Sequence, residues 1–366
     1  MAAEALPKSL GREGGANPPR NVCLLRLSAL GDVTHVVPVV RTLQSFWPNT
    51  HLTWVIGRLE HQLVGDIPGV EFIVVDKGRG WRMYKDLRHK LQGRRFDVLL
   101  QMQVSLRASL LGLMVPADLR IGFDRERARD FQWLFTRHRI THQPRQHVLD
   151  SFFGFLEAMG IEERELRWDL PIPEEARAWA ADNLPAGRLL AISPCSSNRF
   201  RNFRNWPAER YAAVADHAAD RHGMIPVLTG GPTPLERDYG EAIIRLCRHP
   251  VVNLIGKTSL KQLLAVLDRA EVLLAPDSGP THMANAVNTP VLGLYASSNP
   301  ERTGPYQHRN WVINQYPEAC RRFLGRAVHE VRWGQRVRAP EVMELITEEA
   351  VCARLDECLS SGGTEP

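Results

Sequence analysis

The stretch from Glu271 to Tyr295, EVLLAPDSGPTHMANAVNTPVLGLY, encloses a turn and a short helix between two apolar strand patterns, and that turn carries residues suited to holding an anion. Val272 to Ala275 read as the end of a strand, Asp277-Ser278-Gly279 as the turn and helix cap. Pro280 then reads as the first helical residue, where a missing N–H costs nothing. A helix that starts at the carboxyl end of a parallel strand presents free N–H groups and a positive dipole end. Gly279 lets an anion come close to the backbone. On this reading Asp277 either caps the helix or belongs to a phosphate cradle with Thr281 and His282.

Three further polar turns follow apolar strand patterns. After Asn21 to Leu27 comes Ser28-Ala-Leu-Gly31-Asp32, which puts Asp32 at a helix N-terminus, where a carboxylate serves as a cap or as a general base. Ser193-Pro-Cys-Ser-Ser197 precedes Arg199, Arg201 and Arg204, and hydroxyls, backbone N–H groups and guanidinium forks at one strand end suit phosphate. Thr229-Gly230-Gly231 ends another strand, with Glu236 soon after. These glycines either admit a diphosphate or planar group or make a plain turn, and the carboxylate suits ribose hydroxyls. Three anion-holding turns in the second half and one poised carboxylate in the first suggest a donor on one side and an acceptor on the other.

The elements that must position these turns alternate strand and helix. Strand patterns at Asn21 to Leu27, His51 to Ile56, Glu71 to Val75, Phe96 to Leu100 and Leu119 to Phe123 are separated by helical or irregular segments, and a helix from about Gln146 to Met159 follows. The richest apolar region, Val98 to Ala117, is interrupted by Gln101, Gln103, Ser105 and Arg107 and reads as buried strand plus helix. After a Pro-containing linker, the alternation restarts with strands at Leu189 to Ser193, Ile225 to Thr229, Val251 to Leu254 and Val291 to Tyr295. Helices are expected at Glu174 to Asn183, Ala208 to His222, Glu236 to Cys247, Leu260 to Leu267 and Pro340 to Leu359. The fold class is therefore α/β: two Rossmann-like, doubly wound domains facing each other across a cleft. The expected parts are a disordered leader at 1–20, an N-terminal domain at 21–168, a linker at 169–175, a C-terminal domain at 176–339, and a terminal helix and tail at 340–366. Neither half contains G-x-G-x-x-G, which argues against a nicotinamide dinucleotide site.

Hydrophobic residues make up 44% of the chain and charged residues 24%, enough to bury two cores. No apolar run reaches the roughly 18 residues of a membrane span. The formal net charge of +5 is unevenly placed, with Lys77 to Arg95 dense in Lys, Arg and His around Trp81 and Tyr84, and a second cluster at Arg120 to Arg129. Such patches are either solvated helix faces or sites for an acidic partner. No RNA-binding signature or zinc-ligand spacing accompanies them, which makes nucleic acid the weaker partner. Six cysteines lie far apart with no C-x-x-C pair, as expected of reduced thiols in a cytoplasmic protein.

The pattern LRLSALGDVTH at 25–35, with APDSGPTHMANAVNTPVLGLYASSNPERTGPY at 275–306, resembles glycosyltransferase family nine, the lipopolysaccharide heptosyltransferases, nearest to the heptosyltransferase I branch. The likeness covers about residues 20 to 310 and the order of all four turns. It implies GT-B architecture and inverting, metal-independent transfer of heptose from ADP-heptose to the Kdo inner core of lipopolysaccharide, with no cofactor besides the donor. Carried over, it makes Asp32 the general base. It also gives a donor set of Ser196 or Ser197, Arg204 in place of a lysine, Glu236, Thr258, Asp277, Ser278, Gly279 and His282, to which the turn reading adds Gly230. Gln103, Arg125, Arg129 and the Lys85 to Arg95 cluster are expected to engage the carboxylate and phosphates of a Kdo-lipid, with Trp81 and Tyr84 approaching the membrane. The implied location is cytoplasmic, peripheral to the inner membrane. The first-domain acceptor region aligns poorly with the family, and Cys320 to Arg338 is a basic insertion without an assigned place. The rival readings are an epimerase or hydrolase of the same architecture, which consumes donor without lipid acceptor, and a binding subunit that holds donor without turnover.

Overall fold

The computed structural model describes residues 18–196 and 202–361, so almost all of the expected leader, and Ser197, Arg199 and Arg201, lie outside the described residues. The chain divides between Pro171 and Ile172 into two units, each described by itself.

The first unit runs β1 (Asn21–Leu25), α1 (Leu30–Phe46), β2 (His51–Gly57), α2 (Arg58–Val64), β3 (Val70–Val75), α3 (Arg82–Lys90), β4 (Phe96–Gln101), α4 (Leu106–Leu113), β5 (Ala117–Gly122), β6 (His138–Arg139) and α5 (Val148–Glu157). Its strands form one six-stranded sheet in the order β3-β2-β1-β4-β5-β6, all pairs parallel. Strands covered on both faces must be apolar throughout, and Val22 to Leu25 of β1 are fully buried. On one face Cys23 and Leu25 pack with Met83 and Leu87 of α3 and Ala108 and Leu111 of α4. On the other, α1 packs against α2 and α5.

The second unit runs α6 (Glu174–Asn183), β7 (Leu189–Ile192), α7 (Ala208–His222), β8 (Ile225–Leu228), α8 (Pro234–Leu246), β9 (Val252–Asn253), α9 (Leu260–Arg269), β10 (Val272–Pro276), α10 (Gly279–Ala286), β11 (Val291–Tyr295), α11 (Pro300–Thr303), β12 (Ile313–Asn314), α12 (Tyr316–Ala319) and α13 (Glu348–Ser360). Its parallel sheet has the order β12-β11-β10-β7-β8-β9. The winding repeats that of the first unit: the opening strand is central, the next two extend one way and the last three the other. In each unit the order reverses between the first and fourth strands, and ligands of such sheets bind outside the carboxyl ends at that reversal.

Two expectations change. Pro340 to Leu359 is not one helix: Pro340–Leu345 is a 3-10 segment, and α13 starts afresh after Thr347, whose hydroxyl caps Ala350 N at 3.3 Å. The break is held by Trp206, whose indole N–H donates to the Ile346 carbonyl at 3.0 Å, so the terminal segment packs on the second unit. The basic insertion is a strap on that same unit. The Tyr316 hydroxyl donates to the Gln335 carbonyl at 2.8 Å, and Ser297 and Val337 exchange bonds at 2.8 and 2.9 Å. Tyr316, Cys320 and Val337 are buried in the unit's core.

Candidate active site

Asp32 stands in the first turn of α1, three residues after Ala29 at the N-cap. Ala29 N donates to Asp32 Oδ2 at 3.2 Å, and the Arg26 guanidinium forms an ion pair with that same oxygen. Oδ1 has no hydrogen bond or ion pair among the described residues, and the side chain is about one-third exposed, 32%. One oxygen is thus pinned while the other is left open, an arrangement that lets a carboxylate accept a proton from a hydroxyl without reorienting. Arg26 is itself fixed: it is buried, donates to the Met102 carbonyl at 2.5 Å and lies over the Phe152 ring at 5.2 Å.

Gln103, expected to touch acceptor, is engaged with the loop after β1. Its Oε1 accepts from Leu27 N at 2.9 Å and Ser28 N at 3.1 Å. Gln132, fully buried, in turn donates to the carbonyls of Gln101 and Gln103 at 2.9 and 3.1 Å. From the β2 side, Lys77 reaches buried Glu60 at 3.1 Å and the Leu27 carbonyl at 3.5 Å. The loop after β1 is therefore gripped from both neighbouring strands. Arg125 and Arg129 are exposed on the loop after β5, Arg125 over the Trp133 ring at 5.5 Å. That loop is anchored by buried Asp124, which pairs with Arg127 and with His142 at 3.0 Å. Burial pushes the Asp124 carboxyl up, but the hydrogen bonds and charge of Arg127, with His142, outweigh it and hold it below its ordinary value.

In the second unit four turns gather at the carboxyl ends of β7, β8, β9 and β10. Ser278 takes the N-cap position of α10 with extended backbone, whereas Asp277, the expected cap, turns to Arg204. Arg204 Nη1 donates to the Asp277 carbonyl at 2.7 Å and lies 3.3 Å from its Oδ2, both side chains buried. The Ser278 hydroxyl is buried without a hydrogen bond among the described residues, while the Thr281 hydroxyl donates to the Pro276 carbonyl at 2.8 Å. A buried hydroxyl left open costs about 1–3 kcal/mol unless a ligand or water completes it. Here it sits at the positive end of a helix beside a guanidinium, the surroundings an anionic oxygen favours. His282 is buried one turn further on.

Ser196 closes the turn after β7: its hydroxyl donates to Asn202 Oδ1 at 2.8 Å, and its N–H to Asn205 Oδ1 at 3.0 Å. Burial and then the Glu236 charge push the thiol of Cys195 in this turn up to about 12, which disfavours the thiolate. Glu236 braces the Gly230-Gly231 turn, accepting from Gly231 N at 2.7 Å and from the Thr233 hydroxyl at 2.6 Å. Any ribose contact must share a carboxylate already in use. Thr258 is half-buried between β9 and α9. Away from these turns, His217, His222 and Asp356 bring three ligand atoms within 4.8 Å among the described residues. Both imidazoles already bond Asp356 Oδ1, at 2.8 and 2.6 Å, so the trio clasps α13 to α7.

The sequence reading missed Arg26, Gln132, Asn202, Asn205 and the Asp124 cluster. Arg26 carried a signal, a charge at the end of a wholly apolar strand run; the others act through contacts far apart in sequence.

The comparisons bear on the family and the fold. The family model for glycosyltransferase family 9 (heptosyltransferase) matches residues 84–327, more than half of the chain. The lipopolysaccharide core heptosyltransferase OpsX of Haemophilus influenzae is 38% identical over 338 residues, 92% of this chain and 96% of that protein. Lipopolysaccharide heptosyltransferase 1 of Escherichia coli K12 is 24% identical over 308 residues, 80% of this chain and 92% of its own. Among solved structures, a family 9 glycosyl transferase from Veillonella parvula superposes with a TM-score of 0.75 at 24% identity, covering 93% of this chain and 98% of that one. E. coli heptosyltransferase WaaC with ADP gives 0.72 at 20% identity, covering 92% and 99%. Two twin-wound Rossmann-like units, an acidic residue after the first strand and an open anion turn after the fourth strand of the second unit thus meet a family match over most of the sequence: the chain belongs to glycosyltransferase family 9, the heptosyltransferases.

Proposed function

We propose that this glycosyltransferase moves a heptose from ADP-heptose to the Kdo inner core of lipopolysaccharide, with inversion and without a metal ion. The observation that carries the reading is the asymmetric hold on Asp32, Oδ2 fixed by Arg26 and Ala29 and Oδ1 left open. An acceptor hydroxyl oxygen attacks the anomeric carbon on the side opposite the nucleotide. The new C–O bond forms as the bond to the β-phosphate oxygen breaks, its electron pair leaving with ADP. The hydroxyl proton passes to Asp32 Oδ1. Charge growing on ADP is met by Arg204, the Ser278 hydroxyl and the N-terminus of α10, fixed dipoles that need no rearrangement during the step. Ser196, Ser197, Gly230, Glu236, Thr258, Asp277, Gly279 and His282 complete the donor set, and Arg125 and Arg129 the acceptor side.

The support is twofold: the family match, and relatives whose names specify lipopolysaccharide heptose transfer, in one case to the core. No described helix is long and apolar enough to cross a membrane. We place the protein at the cytoplasmic face of the inner membrane, bound peripherally. Purified protein incubated with a panel of nucleotide sugars and Kdo-lipid acceptors, read by mass spectrometry, tests the reading. The expected product is acceptor plus one heptose, formed only when ADP-heptose and acceptor are both present. Donor consumed equally without acceptor would make it a hydrolase or epimerase, and donor bound without turnover a binding subunit.

A further inference from the structure

We infer that the carboxyl rim of the first unit's sheet, on the face covered by α3 and α4, is a docking surface for an anionic lipid bilayer. The inference deepens the reading of a lipid-borne acceptor and rests on it for its purpose, though not for its evidence. Four large apolar side chains project into solvent along this rim: Trp81 at 80% exposure, Phe131 at 65%, Leu134 at 63% and Leu106 at 50%. Their placement follows from topology. Trp81 immediately precedes α3 and Leu106 opens α4, so both stand where their helices leave the carboxyl ends of β3 and β4. The two helices pack on one sheet face and touch each other. Leu106 N donates to Asp130 Oδ2 at 3.3 Å, which brings Phe131 and Leu134, on the loop after β5, alongside Leu106.

Around Trp81 the charges are mostly positive. Residues 77–95 hold eight Lys or Arg against a single acidic residue, Asp86, an excess larger than the whole chain's formal +5. Arg79 is taken up by Asp86 at 2.6 Å, Arg94 by Glu71 at 2.6 Å and Arg95 by Asp118 at 2.6 Å. Arg82, Lys85 and Arg88, exposed on α3, have no carboxylate partner among the described residues, and α3 turns Met83 and Leu87 inward. A Trp at the tip, stacked on Tyr84 at 5.5 Å between centroids, with unpaired Lys and Arg beside it, matches the headgroup zone of an anionic leaflet. The anchors are spaced along a rim and fringed by cations, which fits insertion among lipid headgroups better than burial under one protein partner. Asp32 opens α1 from the carboxyl end of β1, the same end of the sheet although α1 lies on the opposite face. Docking by this rim therefore turns the carboxyl ends of the strands, that of β1 among them, toward the headgroups.

The test is co-sedimentation of the full chain with vesicles of phosphatidylcholine alone or mixed with phosphatidylglycerol. The protein is expected to bind the mixed vesicles at least about ten-fold more tightly, and to lose that binding as salt is raised. The triple variant Trp81→Ser, Phe131→Ser, Leu134→Ser should bind at least about ten-fold more weakly, and so should Arg82→Gln, Lys85→Gln, Arg88→Gln. The apolar triple variant should unfold at the wild-type temperature and transfer heptose to a deacylated, water-soluble acceptor at the wild-type rate. Equal binding to neutral and mixed vesicles, no binding, or variants that bind like wild type overturn the inference. Failure of wild type to transfer heptose to the soluble acceptor would count against the proposed function and leave the vesicle result standing on its own.

Discussion

Asp32 works, on this account, because its surroundings treat its two oxygens differently. The spacing of Ser28 to Asp32 after an apolar run was enough to single out the carboxylate, since a helix N-terminus at a strand end is a local feature. Sequence did not disclose what holds it. Arg26 reaches the Met102 carbonyl and Gln103 reaches Leu27 N across some 76 positions in sequence, and such pairings exist only once the parallel sheet has formed. Gln103 was expected among the acceptor ligands, and the fold adds that its Oε1 accepts from two loop N–H groups. A positioning role has a distinct kinetic signature. Gln103→Leu should lower kcat about 10- to 100-fold with the acceptor KM within about two-fold of wild type, because the base is displaced while binding surfaces remain. Gln103→Glu, which keeps an acceptor oxygen for both N–H groups, should recover most of the rate. A raised acceptor KM at unchanged kcat would return Gln103 to the acceptor site.

At the scale of elements, strands and helices followed closely from periodicity where burial on both faces dictated it, as in Val22 to Leu25 and Val291 to Tyr295. The sequence reading failed where tertiary contacts override local pattern. Pro340 to Leu359 carries a plausible helical period, yet the Trp206 bond to Ile346 and the Thr347 cap divide it. The helix that remains, α13, is clasped to α7 through Asp356 and two histidines. Burial raises the Asp356 carboxyl, but the His222 and His217 bonds outweigh that, and its folded pKa lies below the ordinary 3.8. A depressed carboxylate stabilises the fold fully above its unfolded value and loses that contribution as pH falls through the lower folded value. Asp356→Asn should therefore cost about 0.5–1 kcal/mol at neutral pH, discounted for solvent exposure. Unfolding should come about 1–4 °C earlier. The gap from wild type should close as pH drops below 3.8. A gap that persisted unchanged into strong acid, or none at neutral pH, would show the clasp to be idle.

For the whole molecule, the repeated winding order is the organising fact. Each unit puts its polar turns outside the carboxyl ends where strand order reverses, and on the proposed reading the first uses that place for a carboxylate and the second for an anion. Length, composition and four turn signatures made the twin winding legible, because each signature is local and the winding rule relates them within a unit. The covering strap from Cys320 to Val337 was opaque, since its burial depends on Ser297 and Tyr316 rather than on any pattern of its own. The central claim is that transfer passes a proton to Asp32 while the nucleotide is held elsewhere. The most direct measurement pairs heptose transfer with ADP titration calorimetry on Asp32→Asn, which keeps the shape of the side chain and removes its basicity. The account predicts transfer lowered by about 1,000-fold or more, with ADP affinity within about two-fold of wild type. Transfer at close to the wild-type rate would contradict it.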